Sequence, residues 1–508
     1  MPLHQQTSDA FSTEHLHADL KGRSIRGGVL TLTSQGAQFV MQSIATVVMA
    51  RLLAPADFGL VAMVTAITGL GQAFADLGLS EATIQQPEIS HSQVSTLFWI
   101  NAAIGLTLTS ITAALAPVLV WFYHEPRLKD ITLIVSLTFL IGGLRVQHDA
   151  LLRRQMRFKS LAIRDVASYL LAVPVAITMA WRGAGYWAIV ALPMTLNLTQ
   201  MSLSWLMVRW IPGLPRRGAK VRSLIAFGGN VAASYLIFNV NRSADSILIG
   251  WYWGAGPLGL YSRAYNLLML PVRQLGAPAR SVAVPSFSRV HTDPERLARY
   301  YLRIANLIMW ITAPIFGFLF VAAVPVIVLA LGNRWRAAAP VFQVLAIFAL
   351  GQLLLESTTW LLVSQGQSRR LLKLMLIILP VIVGGYAIGL PFGIKGVALS
   401  GSLVLLTIFP WILKFSFRGS NLTLRRLGNA ISCPIIVCLA GVCVSELMLH
   451  VIAPQSSVSQ LLVTALGFAA GSLLSLLIPP VREDAMSLKT VFNKSYLGAP
   501  PSLVESKS

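Results

Sequence analysis

From residue 29 to residue 479, long apolar runs alternate with short polar stretches. Most runs reach the roughly 18 to 30 residues that a helix needs to cross a bilayer. Breaking the chain at charged and Pro/Gly clusters predicts fourteen spans, near 29–50, 58–78, 93–121, 130–152, 161–181, 186–208, 223–249, 257–284, 300–331, 338–363, 371–390, 396–413, 428–450 and 459–479. The first run is too long for a signal-peptide core and lacks a small-residue cleavage site, so it reads as a retained span.

Of the 508 residues, 55% are hydrophobic and 12% charged, against roughly 25% charged in a soluble domain. A soluble protein is excluded. The net charge of +21 raises nucleic acid as a partner, but its distribution argues otherwise. With both termini placed in the cytoplasm, 27 Lys and Arg fall in inner loops and tails, 7 in outer loops and 6 within spans. This inside-positive bias supports an even number of spans with both termini inside, and it explains the charge without nucleic acid. No loop is long enough to hold an extramembrane catalytic domain, so no enzyme activity is expected. Cys433, Cys438 and Cys443 share one apolar segment at steps of five, about 500° of helix rotation, and do not gather on one face. Neither metal nor cofactor is expected.

An internal repeat organises the spans. Ala54-Pro55-Ala56-Asp57-Phe58-Gly59-Leu60, between spans 1 and 2, is echoed 200 residues later by Gly254-Ala255-Gly256-Pro257-Leu258-Gly259-Leu260, between spans 7 and 8. Gly183-Ala184-Gly185, between spans 5 and 6, is echoed at an offset of 210 by Gly393 to Gly396, between spans 11 and 12. Both echoes lay spans 1–6 on spans 7–12, and six is even, so the halves enter the membrane in the same sense. The predicted fold is therefore all-α: a polytopic membrane protein of about 14 transmembrane helices, with two six-helix lobes in pseudo-two-fold repeat plus a C-terminal helix pair. Its segments are a cytoplasmic tail (1–28), an N-lobe (29–208), a basic linker (209–222), a C-lobe (223–417), spans 13 and 14 (428–479) and a cytoplasmic tail (480–508).

Charges at the centre of a span cost roughly 2.5–3.5 kcal/mol each on insertion scales, so they mark cavities or partners. Arg145, His148 and Asp149 lie in span 4, Arg164 and Asp165 in span 5, Arg242 and Asp245 in span 7, Arg263, Arg273 and Arg280 in span 8, and Glu356 in span 10. Those of spans 4 and 5 lie near helix ends, where snorkelling or local pairing competes with a cavity role. Arg242 and Asp245, at i and i+3, read either as a structural pair or as part of a site. Glu356 stands alone in an apolar helix and is a candidate proton carrier; Asp245 is a second candidate for ion coupling. Gln35, Gln38 and Gln42 share one face of span 1, and Asn230, Ser234, Asn241 and Asp245 line a face of span 7. These stripes point to a water-accessible cleft between the repeats. With Arg242, Arg263 and Arg273 in it, the cleft suits an anion, because guanidinium grips phosphate bidentately and amides suit sugar hydroxyls.

The stretches Arg51 to Met63, Asp76 to Gln86 and Gln93 to Asn101, then Asp245 to Gly250, Leu258 to Tyr265 and Pro285 to Arg289, resemble the bacterial polysaccharide transporter family. That family contains the Wzx-type exporters of colanic acid and succinoglycan repeat units. The resemblance covers most of residues 22–415. It implies the fold of the multidrug, oligosaccharidyl-lipid and polysaccharide exporter superfamily, two six-helix lobes around a central cavity. It implies a flippase for undecaprenyl-diphosphate-linked oligosaccharide, serving exopolysaccharide or lipopolysaccharide synthesis beside a polysaccharide polymerase and a chain-length regulator. The family has no short catalytic signature; Asp245 and Arg263 lie in matching stretches without an assigned role. A drug/cation antiporter would need interior carboxylates where this chain has arginines. A membrane-embedded polymerase or acyltransferase would need a catalytic constellation that is not visible. A non-transporting scaffold of an export complex is the remaining rival.

Overall fold

The computed structural model describes residues 20–74, 78–86, 89–215 and 243–496, and no strand occurs among them. The protein is an all-helical, multi-pass membrane protein. Among the described residues, eight stretches are long and apolar enough to cross a bilayer by length and composition alone. Helix α1 (Leu20–Leu52), with its glutamines, and helix α10 (Ala255–Val290), with its four arginines, are not among them. Polarity of this kind belongs to helices that line something other than lipid.

The chain divides into two compact units between Ser262 and Arg263, inside α10. In the first unit α1 is followed by α2 (Pro55–Gly71), α3 (Leu79–Gln85), α4 (His91–Ala114), α5 (Ala116–Tyr123), α6 (Leu128–Arg154), α7 (Phe158–Trp181), α8 (Tyr186–Val208) and α9, residues 243–253. Nearly all of the described part of spans 1–8 is helical, with turns at Gly78 and at Leu115 between α4 and α5, and α1 begins nine residues before the predicted first span. Helix α4 packs along α6, α8 along both α6 and α7, and α1 along α7. Small residues set the close crossing of α4 and α6: a Cβ at Gly105 would lie 2.7 Å from the Phe139 carbonyl, and one at Gly143 2.5 Å from that of Asn101. In lipid, where no hydrophobic effect drives helices together, such close backbone approach supplies the packing energy.

In the second unit α11 (Pro294–Val321), α12 (Ala323–Leu331), α13 (Ala339–Ser364), α14 (Ser368–Gly389) and α15 (Gly393–Ser416) precede a hairpin of α16 (Leu424–Ile452) and α17 (Ser457–Ser475). Asp293 caps α11 by accepting the backbone N–H groups of Glu295 and Arg296, and these hydrogen bonds hold its carboxyl below the usual carboxylate range. The hairpin corresponds to predicted spans 13 and 14. It packs on α11, where Gly317 lies against Cys438 and Phe468. Beyond it the chain forms one more helix, α18 (Pro479–Tyr496), which sequence patterning left as a tail. Asp484 fixes α18 by accepting from Trp310 Nε1 (2.9 Å) and Asn306 Nδ2 (3.0 Å) on α11.

Candidate functional site

The densest polar cluster among the described residues lies in the first unit, where α6, α7 and α8 meet. Helices α6 and α7 are joined by a turn of three residues, with Met156 in the left-handed region at φ 51°. Asp149 lies six residues before that turn's start and Arg164 six after α7 begins, so the two sit at nearly the same depth. Arg164 Nη1 pairs with Asp149 Oδ1, while Arg164 Nη2 meets Asp165 Oδ1 at 2.6 Å. Ser204 of α8 donates to Asp149 (2.6 Å), Arg145 Nε lies 3.3 Å from Asp149 Oδ2, and Arg145 Nη1 bonds Gln200 Oε1. Two guanidinium groups against two carboxylates balance to zero charge. Of the two readings open for these residues, pairing is what the structure shows, between helices as well as along them. Gln200 and Ser204 were missed, although their spacing of four, which places them on one face of the helix, was a signal.

Beside this network the chain leaving α8 is strapped down. Trp210 is buried among Phe98, Trp205 and His148, and His148 stacks on Trp205 at 4.3 Å. Trp210 Nε1 donates to His91 Nδ1 (3.0 Å), and Trp99 Nε1 to the Gly213 carbonyl (2.9 Å). The start of the basic linker is thus a fixed part of the first unit.

Other predicted site residues are placed as follows. Gln35 and Gln42 are not covered by the chain, and Gln38 donates to Ser34 Oγ (3.0 Å), so the α1 stripe remains open to whatever faces it. Asp245 is buried; its Oδ2 accepts from Tyr261 (2.8 Å) and its Oδ1 from the Ser246 N–H (2.6 Å). In the second unit Arg273 is uncovered and donates to Asn266 (3.1 Å), and Arg263 is half-buried. Glu356 of α13 accepts from Gln352 (3.4 Å), and a Cβ at Gly276 would lie 3.5 Å from its Oε2. The Glu356 carboxylate thus lies beside α10 at Gly276, midway in sequence between Arg273 and Arg280. Arg242, Asn230 and Asn241 lie outside the described residues. Cys438 is buried, Cys433 half-buried and Cys443 exposed.

Residues 48–340 match the family model described as "Polysaccharide biosynthesis protein". The chain belongs to the polysaccharide biosynthesis protein family. Among curated members it is 25% identical over 303 residues to the teichuronic acid biosynthesis protein TuaB of Bacillus subtilis, an alignment covering 59% of this chain and 63% of that one. It is also 25% identical over 309 residues to the lipopolysaccharide biosynthesis protein WzxC of Escherichia coli, covering 60% and 62%. The succinoglycan biosynthesis transport protein ExoT of Rhizobium meliloti is 25% identical over 337 residues, covering 66% and 67%. The match therefore spans under two thirds of the first two relatives. Among solved structures, the lipid II flippase MurJ in an inward closed conformation superposes with a TM-score of 0.68 at 13% identity, over 89% of this chain and 99% of that one. An inward-facing multidrug resistance transporter of the MATE family superposes with a TM-score of 0.53 at 12% identity, over 75% and 96%. At such identities these likenesses establish a shared transporter fold, which this family member adopts.

Proposed function

We propose that the chain flips undecaprenyl-diphosphate-linked oligosaccharide repeat units from the cytoplasmic to the periplasmic leaflet of the bacterial inner membrane, by alternating access of two six-span lobes, with both termini cytoplasmic. The observation that carries this reading is membership of the polysaccharide biosynthesis family across residues 48–340, a segment that includes the arginine-bearing helix α10. The diphosphate docks on Arg263 and Arg273, with Arg242 as a third cation. Sugars lie along Gln35, Gln38, Gln42, Asn230 and Asn241, and the isoprenoid tail stays in the bilayer. Asp245 and Glu356 are the candidates for coupling to an ion gradient. A polymerase and a chain-length regulator act on the delivered units. An excess of guanidinium over carboxylate on α10 speaks against a cationic drug as cargo, since a cation would be repelled there.

The test is polysaccharide export in a deletion strain complemented with Arg273→Ala, Arg273→Lys or the unaltered chain at equal membrane levels. The reading expects Arg273→Ala to lose most export and Arg273→Lys to recover part of it, as a point charge replaces a bidentate fork. Full export by Arg273→Ala and Arg263→Ala together contradicts an arginine-held diphosphate.

A further inference from the structure

The 200-residue echo becomes a physical contact in the folded chain. A Cβ built at Gly59 of α2 would lie 1.7 Å from the Ala255 carbonyl oxygen, and one at Gly259 of α10 would lie 1.8 Å from the Pro55 carbonyl oxygen. Residues 55 and 255 are themselves repeat equivalents, as are 59 and 259. Each glycine therefore faces the counterpart of the residue that faces its own counterpart, the reciprocity of a two-fold interface. Backbone meets backbone between the first turns of the two helices, where contact of the Cα–H···O kind holds them.

The surroundings form a seal. A Cβ at Gly250 of α9 would meet Tyr123 at 2.9 Å and Leu258 and Met63 at 3.2 Å. Phe58, Leu60, Met63 and Leu258 are all buried. Asp57 Oδ2 accepts the Ala54 N–H (3.0 Å) and stiffens the start of α2. At neighbouring helix ends on the loop side sparse in Lys and Arg, Trp121, Trp181 and Trp251 are left uncovered by the chain, as aromatic residues are at a membrane–water interface.

We propose that the reciprocal Gly59–Gly259 contact is the closed periplasmic gate: it shuts the outer end of the transport path in this conformation and must part for the headgroup to leave. The membrane sidedness rests on the function proposed above. Glycine at both positions is what allows closure. Carbon and carbonyl oxygen normally approach to about 3.3 Å, so any side chain at either position holds the helices roughly 1.5 Å further apart.

The test uses the full chain with Cys433, Cys438 and Cys443 replaced by Ala and a reporter, Met63→Cys, one turn deeper than Gly59 on the same face of α2. The probe is a membrane-impermeant maleimide added from the periplasm. The proposal expects Gly59→Leu and Gly259→Leu each to raise labelling severalfold and abolish export. Gly256→Ala, whose added Cβ meets open space, should change neither. Gly59→Ser serves as the milder variant should the leucines fail to insert. Labelling that stays at the unaltered level in Gly59→Leu or Gly59→Ser, or that rises equally with probe on the cytoplasmic side, overturns the gate. Labelling does not depend on the cargo, so a failed flippase reading and a failed gate give different results.

Discussion

Arg164→Met offers a quantitative test of the buried network of α6, α7 and α8. The side chains of Arg164 and Asp149 are 7% and 14% exposed. Met keeps most of the length of the side chain and removes only the guanidinium. Asp149 and Asp165 then lose their shared cation, and Arg145, held partly by Gln200, is left to balance both. Removing one partner of a buried pair costs about 3–5 kcal/mol. Asp165 is 22% exposed and retains some hydration, and an unfolded chain still in lipid finds other partners for its polar groups. The lower end, about 3 kcal/mol, is therefore expected. Replacing Asp149 by Leu in the same chain should restore part of the loss, with a coupling of about 1–3 kcal/mol in the double-mutant cycle. The assay is reversible unfolding in bicelles, with Arg164→Met, Asp149→Leu and the double variant measured against the unaltered chain. A loss in Arg164→Met within about 1 kcal/mol of zero, or strict additivity of the two substitutions, would refute the reasoning.

Three further predictions follow from particular contacts. Trp210→Ala empties the aromatic box beside His148 and should cost about 3–5 kcal/mol, read as faster tryptic cleavage after Arg209; unchanged cleavage contradicts the strap. Asp484→Ala leaves Asn306 and Trp310 without this acceptor, and losing about 1–3 kcal/mol should release α18 to protease while leaving α16 and α17 protected. The Arg127 guanidinium, 2.8 Å from Glu125, holds the Glu125 carboxyl below the usual carboxylate range. This depressed group contributes its stability above the unfolded-chain value of roughly 4.3 and loses it as pH falls through the lower folded value. Glu125→Gln should therefore lower the melting temperature slightly at pH 7 and not at pH 3, and an offset independent of pH would be inconsistent with this pairing.

Much of this architecture was legible because membrane helices write their boundaries in long apolar runs and in the charges of their loops. The turns at Gly183 and Gly393, an echo in sequence, both place glycine at positive φ. Less legible were features set by three-dimensional neighbours. Asp149, Arg164 and Asp165 read either as snorkelling or locally paired helix ends or as cavity residues, because the depth match across the turn at Met156 exists only once both helices are built. Gln200 and Ser204 were passed over since two neutral polar residues carry little weight beside four charges. Pairing of Asp245 with Tyr261 was hidden by a separation of 16 residues and a turn between them. Helix α18 was missed because its mixed polarity resembles a tail, and only docking against Asn306 and Trp310 gives it a partner. The repeat itself announced a symmetry, while the contact of its two glycines with each other required the fold.

The account stands or falls on where the cargo resides. In a deletion strain with other flippases removed, the leaflet location of undecaprenyl-diphosphate-linked oligosaccharide can be followed by periplasmic access of a sugar-modifying enzyme, with and without the restored chain. The account predicts cytoplasmic accumulation without the protein and periplasmic appearance once it is restored. Equally fast arrival in the periplasmic leaflet with and without the protein would contradict it.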